Sequence, residues 1–351
     1  MSYRQAVLMH VLDRFQGERS VNAVYHLLKG KRSSQTIQDA GLFALSPFFG
    51  CLSTTLTRDT FLNDIEWLWS EGYVISTGKH KAVLTEKGRD LFLQFNKSYP
   101  APQRLNGAKY HSRTDEFWRR LYHLLDRDAE EKASSSFMLA EKSTLLWLDQ
   151  FCRSHSKGVW VRAAYDELLT LLNQVDQLSA CMFVYKLSRP TRTGWTLEQA
   201  GKRFGIGIEG AELYWRAALH HLFGTVMNAP QRYQNLSLLL EGTANNPLTQ
   251  SAAKTLPYAE RGASISDIAL KRRLKESTIE DHIIEIASHL PHFQWKDYIL
   301  SEHVTLILPI IREGEGYSLK RMKEKLPPEV SYFSIRLCLA REKGAFFQDD
   351  T

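Results

Sequence analysis

The chain is predicted to be mainly α-helical, with one small β-hairpin near its N-terminus. Apolar residues recur at i, i+3, i+4 through most of the 351 residues, while β-rich text is confined to Tyr73–Thr77 and Ala82–Leu84. Cap and turn residues (Ser33, Thr85, Gly205, Gly262, Ser264) cut the helical text into short helices with tight connections. A hydrophobic fraction of 43% with 24% charged residues is ordinary globular composition, enough for two or three packed domains.

Residues 1–96 read as a winged helix. Helical periodicity covers Tyr3–Phe15, Val21–Lys29, Ser34–Leu45 and Thr60–Ser70, the last with Phe61, Ile65 and Leu68 on one face. The two β-rich runs flank Gly78-Lys-His-Lys, a hairpin tip with Lys79 and Lys81 placed to lie along a phosphate backbone. Thr85 then caps a closing helix that carries Leu91, Phe92 and Phe95. Trp67 and Trp69 stand two positions apart and so face different ways, one toward the core and one available for stacking or partner contact.

Pro100, Pro102, Asn106 and Gly107 interrupt both periodicities, and residues 97–114 are expected to be a linker. Residues 115–248 read as an all-α domain with Phe117, Leu121, Leu124 and Leu125 on one helix, Leu145–Phe151 on the next, and one long helix over Val159–Leu187. Thr196–Phe204, a glycine turn at Gly205–Gly207 and Ile208–Phe223 form a helix-turn-helix candidate, with Arg189, Arg192, Lys202, Arg203 and Arg216 near it. Gly205-x-Gly207-x-x-Gly210 spells a dinucleotide fingerprint, but a helix precedes it where a strand is required and no acidic residue follows about 20 positions on.

Residues 249–351 carry the most informative text. Ser264 caps a helix with Ile265, Ile268 and Ala269 on its apolar face, and a second helix with Ile279, Ile283, Ile286 and Ala287 follows after a short turn. Ser277 with Glu280 three residues on fits a capping box. Two short helices joined this tightly make the commonest DNA-reading unit, the second helix entering the major groove. The charges favour backbone contact over base readout. Lys271, Arg272, Arg273 and Lys275 cluster at the turn, with Ser277 and Thr278 at the next helix N-terminus, whereas Glu280, Asp281 and Glu285 on that helix repel phosphate. Residues 261–289 balance five Lys/Arg against five Asp/Glu, and 249–351 balance fifteen against fifteen, so the formal +6 of the chain lies in the first 248 residues. Protein docking fits the same pattern. Farther on come the apolar segment Val304–Ile311, Gly314–Gly316, a basic helix with Lys320, Arg321, Lys323 and Lys325, and an amphipathic stretch, Tyr332–Ala340.

Catalytic chemistry is not legible. Lys31 and Ser33 near Gly30 lack the spacing of a nucleotide loop, and His220-His221 are adjacent rather than at the i, i+4 spacing of helical metal ligands. His289 and His292 flank Pro291, and the carboxylate pairs Glu280–Asp281 and Asp349–Asp350 lack a supporting metal motif. No enzyme, cofactor, metal or small-molecule substrate is expected. Cys51, Cys152, Cys181 and Cys338 are widely spaced, as suits a reducing compartment, and no apolar run approaches the roughly 18–20 residues that span a bilayer. A cytoplasmic, nucleoid-associated protein is expected, with no membrane partner.

Ser264-Ile-Ser-Asp-Ile-Ala, Lys275-Glu-Ser-Thr-Ile-Glu-Asp-His-Ile and Ser318-Leu-Lys-Arg-Met-Lys-Glu-Lys-Leu, within residues 255–344, resemble the helix-turn-helix at the C-terminus of RecQ-type helicases. The N-terminal text Ala23-Val-Tyr-His-Leu-Leu-Lys-Gly-Lys-Arg-Ser-Ser-Gln-Thr-Ile-Gln-Asp-Ala and the overall length resemble the YpbB-type proteins of Gram-positive bacteria. The resemblance implies an accessory protein of DNA repair or recombination that works beside a RecQ-like helicase and DNA and lacks the motor itself. The residues leave two alternatives open, a sequence-specific transcriptional regulator and a helicase scaffold with no DNA affinity of its own.

Overall fold

The structure, a computed structural model, describes residues 1–111, 113–125, 141–187, 193–242, 248–313 and 318–342. Arg189, Arg192, Gly314–Gly316 and the Asp349–Asp350 pair lie outside these. The N-terminal region forms a winged helix: α1 (Tyr3–Phe15), α2 (Val21–Lys29), α3 (Ser34–Leu42), α4 (Arg58–Ser70), strands β1 (Val74–Gly78) and β2 (Lys81–Leu84), and α5 (Glu86–Ser98). Ser2 and Thr57 each close a capping box, and Thr85 caps α5 through the Gly88 amide, so three helix starts are fixed by local side-chain oxygens. The strands pair antiparallel, Ile75 opposite Val83, and the hairpin seats β2 against α1. Leu8, Met9, Val11, Leu12 and Phe15 bury the inner face of α1 completely or nearly so.

Segment 97–114 is packed rather than extended. It carries α6 (Gly107–Tyr110), with Leu105 and Tyr110 buried. Gly107 runs so close to the preceding module that an added Cβ would stand 1.8 Å from the Phe49 carbonyl oxygen. The Asn106 amide donates to His220 Nδ1 at 3.0 Å, and the Tyr214 hydroxyl donates to the Pro100 carbonyl at 2.8 Å. Proline and glycine mark a change of direction here, not a loss of contact.

The central region holds α7 (Thr114–Leu125), α8 (Lys142–Ser154), α9 (Lys157–Leu172), α10 (Gln177–Lys186), α11 (Leu197–Phe204), α12 (Gly207–Asn228) and α13 (Gln234–Ser237). The single helix expected over Val159–Leu187 is two helices. Asp176 breaks it by accepting from the Ser179 amide and hydroxyl at 2.9 and 2.7 Å, a cap signal strong enough to end a helix without glycine or proline. The α11–turn–α12 pair forms as the glycines require, Gly205 closing α11 in the left-handed region. It does not form a groove-reading unit. Ala211, Leu213, Ala217, Ala218, Leu219, Leu222 and Phe223 are fully buried, as is Glu212, making α12 the central strut of the molecule. α11 precedes the Gly205-x-Gly207-x-x-Gly210 text, so the dinucleotide reading is excluded by the missing strand.

A buried ion pair ties the winged helix to this strut. Glu212 accepts from the Thr54 and Thr55 amides, both at 2.9 Å, from the Thr55 hydroxyl at 2.6 Å, and from Arg216 Nε at 2.8 Å. Arg216 in turn donates to the Ser53 and Thr54 hydroxyls. Arg4 reaches Asp64 and Glu209 in a second bridge linking α1, α4 and α12.

Several histidines are held neutral in this interior. His111 is wedged between Gly30 and Gly50, where a Cβ would fall within 2.5–2.6 Å of its ring. Burial, with Arg216 nearby, pushes His111 down to about 4, and burial also holds His220 well below the usual imidazole range. The unfolded chain takes up these protons from about pH 6.5 downward while the native state does not, so stability falls as pH drops from about 6.5 toward 4. Asp39 and Glu285, raised mainly by burial, oppose this in part at the acid end. His111 alone accounts for about 2 kcal/mol between pH 7 and 5. Urea unfolding at both pH values checks it: the midpoint should be lower at pH 5, and an equal or higher midpoint contradicts the reading.

Candidate nucleic-acid interface

The C-terminal region consists of α14 (Gln250–Ala259), α15 (Ile265–Arg272), α16 (Glu276–His289), α17 (Ser301–Glu313), α18 (Leu319–Glu324) and α19 (Tyr332–Glu342). α14 to α16 form the helix-turn-helix around their own core of Ile268, Ile279, Ile283, Ile284 and Ile286, closed by Phe333 and Leu337 from α19. Gly262 reverses the chain after α14 at φ +72°, and the Ser264 hydroxyl caps α15 through the Asp267 amide at 3.1 Å.

The second helix is not presented as a free reading head. His282, Ile283, Ile284, Glu285, Ile286 and Ala287 are all buried, because α14, α15, α19 and α3 pack around α16. Its carboxylates serve this packing. Glu285 receives the amide and hydroxyl of Thr249, the residue that caps α14, and Asp281 pairs with Arg336 of α19 at 2.8 Å. The Ser34 hydroxyl of α3 donates to the Asp281 carbonyl at 3.1 Å. Arg341 satisfies the C-terminal carbonyls, donating to Ala287, Leu290 and Pro291. Residues 282–287 of α16 are thus committed to packing, and the exposed positions of the helix lie in its first turn, at Glu276 and Ser277.

What remains exposed is the turn. Lys271, Arg273, Lys275 and Ser277 face solvent, and Thr278 is half-buried. Arg272 does not join them: its guanidinium is turned inward onto the Ser251 carbonyl at 2.9 Å and the Thr255 hydroxyl, which itself bonds His282 Nδ1, clamping α15 to α14. Ser277 is not a cap either. α16 begins two residues earlier than a Ser277 cap would place it, with Lys275 in the cap position and no side-chain cap, so the first amides of α16 are left open beside the turn cations. The cause is Arg273, which takes the left-handed conformation at φ +52° and lets the Leu274 amide bond the Ala269 carbonyl, ending α15 where glycine is usual. Replacing Arg273 by glycine should therefore stabilise the fold by about 1 kcal/mol while weakening nucleic-acid binding. Thermal melts and anisotropy titrations on one preparation check the opposite signs; a gain or loss in both contradicts them.

The wing supplies a separate exposed cation. Lys79 is exposed at the tip and Lys81 half-buried at the start of β2, with the His80 carbonyl held by the Val21 amide at 2.9 Å. That bond fixes the tip at the beginning of α2, whereas α16 leans on α3 beyond the other end of α2, a helix about 13 Å long. Lys79 and Lys81 are thus not brought together with the 271–275 turn. In α18, Lys323 is used internally, donating to the carbonyls of Pro327, Pro328 and Val330, and Lys320 and Arg321 are exposed. His220 is buried and His221 half-buried, and among the described residues no group of three His, Cys, Asp or Glu could hold a metal ion. No helix among them is long and apolar enough to cross a membrane.

Helices α14 to α16 define a C-terminal helix-turn-helix domain, and residues 251–339 match the family model described as a helix-turn-helix domain. Protein YpbB of Bacillus subtilis (strain 168) is similar along nearly its whole length, 28% identical over 347 residues that cover 97% of this chain and 98% of that protein. No solved structure matches.

Sequence reasoning missed the structural arginines of the site. Arg336 and Arg341 stand more than 50 positions from the turn, and neither periodicity nor spacing links them to α16. The signal present was the acidic residues of α16 themselves, which needed partners.

Proposed function

We propose that this chain is a non-enzymatic DNA-associated accessory protein that grips the phosphate backbone through the turn between α15 and α16 and works beside a RecQ-like helicase that supplies the motor. The observation that carries the DNA part is the burial of residues 282–287 of α16, which leaves Lys271, Arg273, Lys275 and the uncapped α16 amides as a presented surface on which three cations outnumber the one exposed carboxylate, Glu276. Such a surface neutralises phosphates without reading base edges. Lys79 on the wing is a second backbone contact. The burial of α16 weighs against a sequence-specific regulator. The helicase part is supported by the resemblance of residues 255–344 to the C-terminal unit of RecQ-type helicases, and by the absence of a nucleotide loop in the sequence.

The test is co-purification of the full chain with a RecQ-like helicase from the same cell, followed by binding of forked and plain duplex DNA with and without it. Capture of the helicase together with salt-sensitive DNA binding by the chain alone is expected. Helicase capture with no DNA affinity at low salt would make it a scaffold, and DNA binding without capture would remove the helicase from the account.

A further inference from the structure

In a winged helix the helix that leads into the hairpin is the one that usually meets DNA. Here that helix is α4, and its outer face is wrong for a polyanion. Leu62, Glu66 and Trp69 stand at i, i+4 and i+7 and so share one face. Leu62 is 47% exposed and Trp69 42%, and Ile75, the first outward residue of the strand that α4 feeds, is 53% exposed. Asp59, Glu66 and Glu71 on the same helix and its end are all exposed. The one arginine of α4, Arg58, is drawn away toward α2: it donates to Asn22 Oδ1 at 2.7 Å and its guanidinium lies 5.1 Å from the centre of the Tyr25 ring. Lys87, the cation near the C-terminal end, is occupied by the Glu71 carbonyl and the Tyr73 ring.

Exposed Leu62 and Trp69 beside the carboxylates of Asp59 and Glu66 would repel a phosphate backbone and attract the opposite pattern. We propose that the outer face of α4 is a docking surface for a basic amphipathic segment of a protein partner, with Leu62 and Trp69 as its apolar anchors and Asp59 and Glu66, which share that face, meeting the partner's Lys or Arg. Aromatic anchors with a charged rim are the usual anatomy of such contacts. Lysine and arginine are the partners that carboxylates in this position select against wrong sequences. The surface is independent of the C-terminal turn, so one molecule would hold a protein on α4 and DNA at 271–275.

The experiment uses the full chain and two labelled amphipathic peptides of about 18 residues, five helical turns, sharing one leucine pattern and differing in lysine or glutamate on the polar face. Fluorescence anisotropy is read against each peptide and against a labelled duplex. The lysine peptide should bind at least about 10-fold more tightly than the glutamate peptide, and Leu62→Ser with Trp69→Ala should cut its affinity at least about 10-fold while duplex binding stays unchanged. Asp59→Lys with Glu66→Lys should reverse the peptide preference, a result that does not depend on the apolar variant folding. Equal binding of both peptides, or undiminished binding of the lysine peptide by both variants, overturns the proposal. Loss of duplex binding in Leu62→Ser/Trp69→Ala, with peptide binding kept, would assign the face to nucleic acid and overturn it too.

Discussion

Replacing Glu212 by alanine is expected to destabilise the protein by about 3–5 kcal/mol, the largest effect of any single change at the junction of the winged helix and α12. Glu212 is fully buried and accepts four hydrogen bonds, from two consecutive backbone amides, one hydroxyl and one guanidinium. Removing it leaves Arg216, itself 2% exposed, as a buried charge facing only hydroxyls, and leaves the Thr54 and Thr55 amides without acceptors. Each loss has its own desolvation cost, and they fall on the same site. The paired replacement Glu212→Met with Arg216→Met should recover a substantial part, since exchanging both members of a buried pair for apolar groups of similar volume is often close to neutral. Urea denaturation of the two variants checks this. A double variant no more stable than Glu212→Ala would mean that the Thr54–Thr55 amides, rather than the orphaned guanidinium, dominate the cost.

Removing the turn charges, Lys271→Ala with Arg273→Ala and Lys275→Ala, is expected to lower duplex affinity by on the order of 100-fold or more at 0.1 M salt. Each phosphate contact contributes about 0.9 to the slope of log K against log salt, so three lost contacts flatten it by about 2.7. If the remaining contacts are unchanged, the curves converge near 1 M salt and stand about 2.7 decades apart at 0.1 M. All three residues are exposed, so unfolding is not the expected cause of a loss. Arg272→Ala is the useful contrast. Its guanidinium clamps α14 through Ser251 and Thr255, so it should lower the melting temperature and leave the salt slope nearly intact. Titrations across a salt series separate the two behaviours, and an unchanged slope in the triple variant would remove the turn from the interface.

Most of the secondary structure was legible because local chemistry determines it. The hairpin between Tyr73 and Leu84, the glycine closing α11 and the Ser264 cap each rest on residues adjacent in sequence. Errors arose where two local signals competed. At the start of α16 the Ser277–Glu280 capping text lost to the left-handed turn at Arg273, which brought the chain into helix two residues early. Between Gln174 and Gln177 an aspartate cap broke a helix that periodicity alone would continue. The candidate site was legible as a cluster of cations but not as a surface. Which cations face outward depends on Thr255, Arg336 and Arg341, residues that reach α15 and α16 only through tertiary packing. The enclosure of α12 and α16 likewise belongs to contacts between distant segments, so two helix pairs with similar text cannot be assigned to core or interface by their patterns.

The central claim is that DNA is held by its backbone at the turn and that α16 reads no bases. Affinities of the full chain for several unrelated duplexes of equal length at one salt concentration test it most directly. The account predicts values that agree within a few-fold, whereas one duplex preferred by about 1,000-fold or more, the range of specific over non-specific binding, would contradict it.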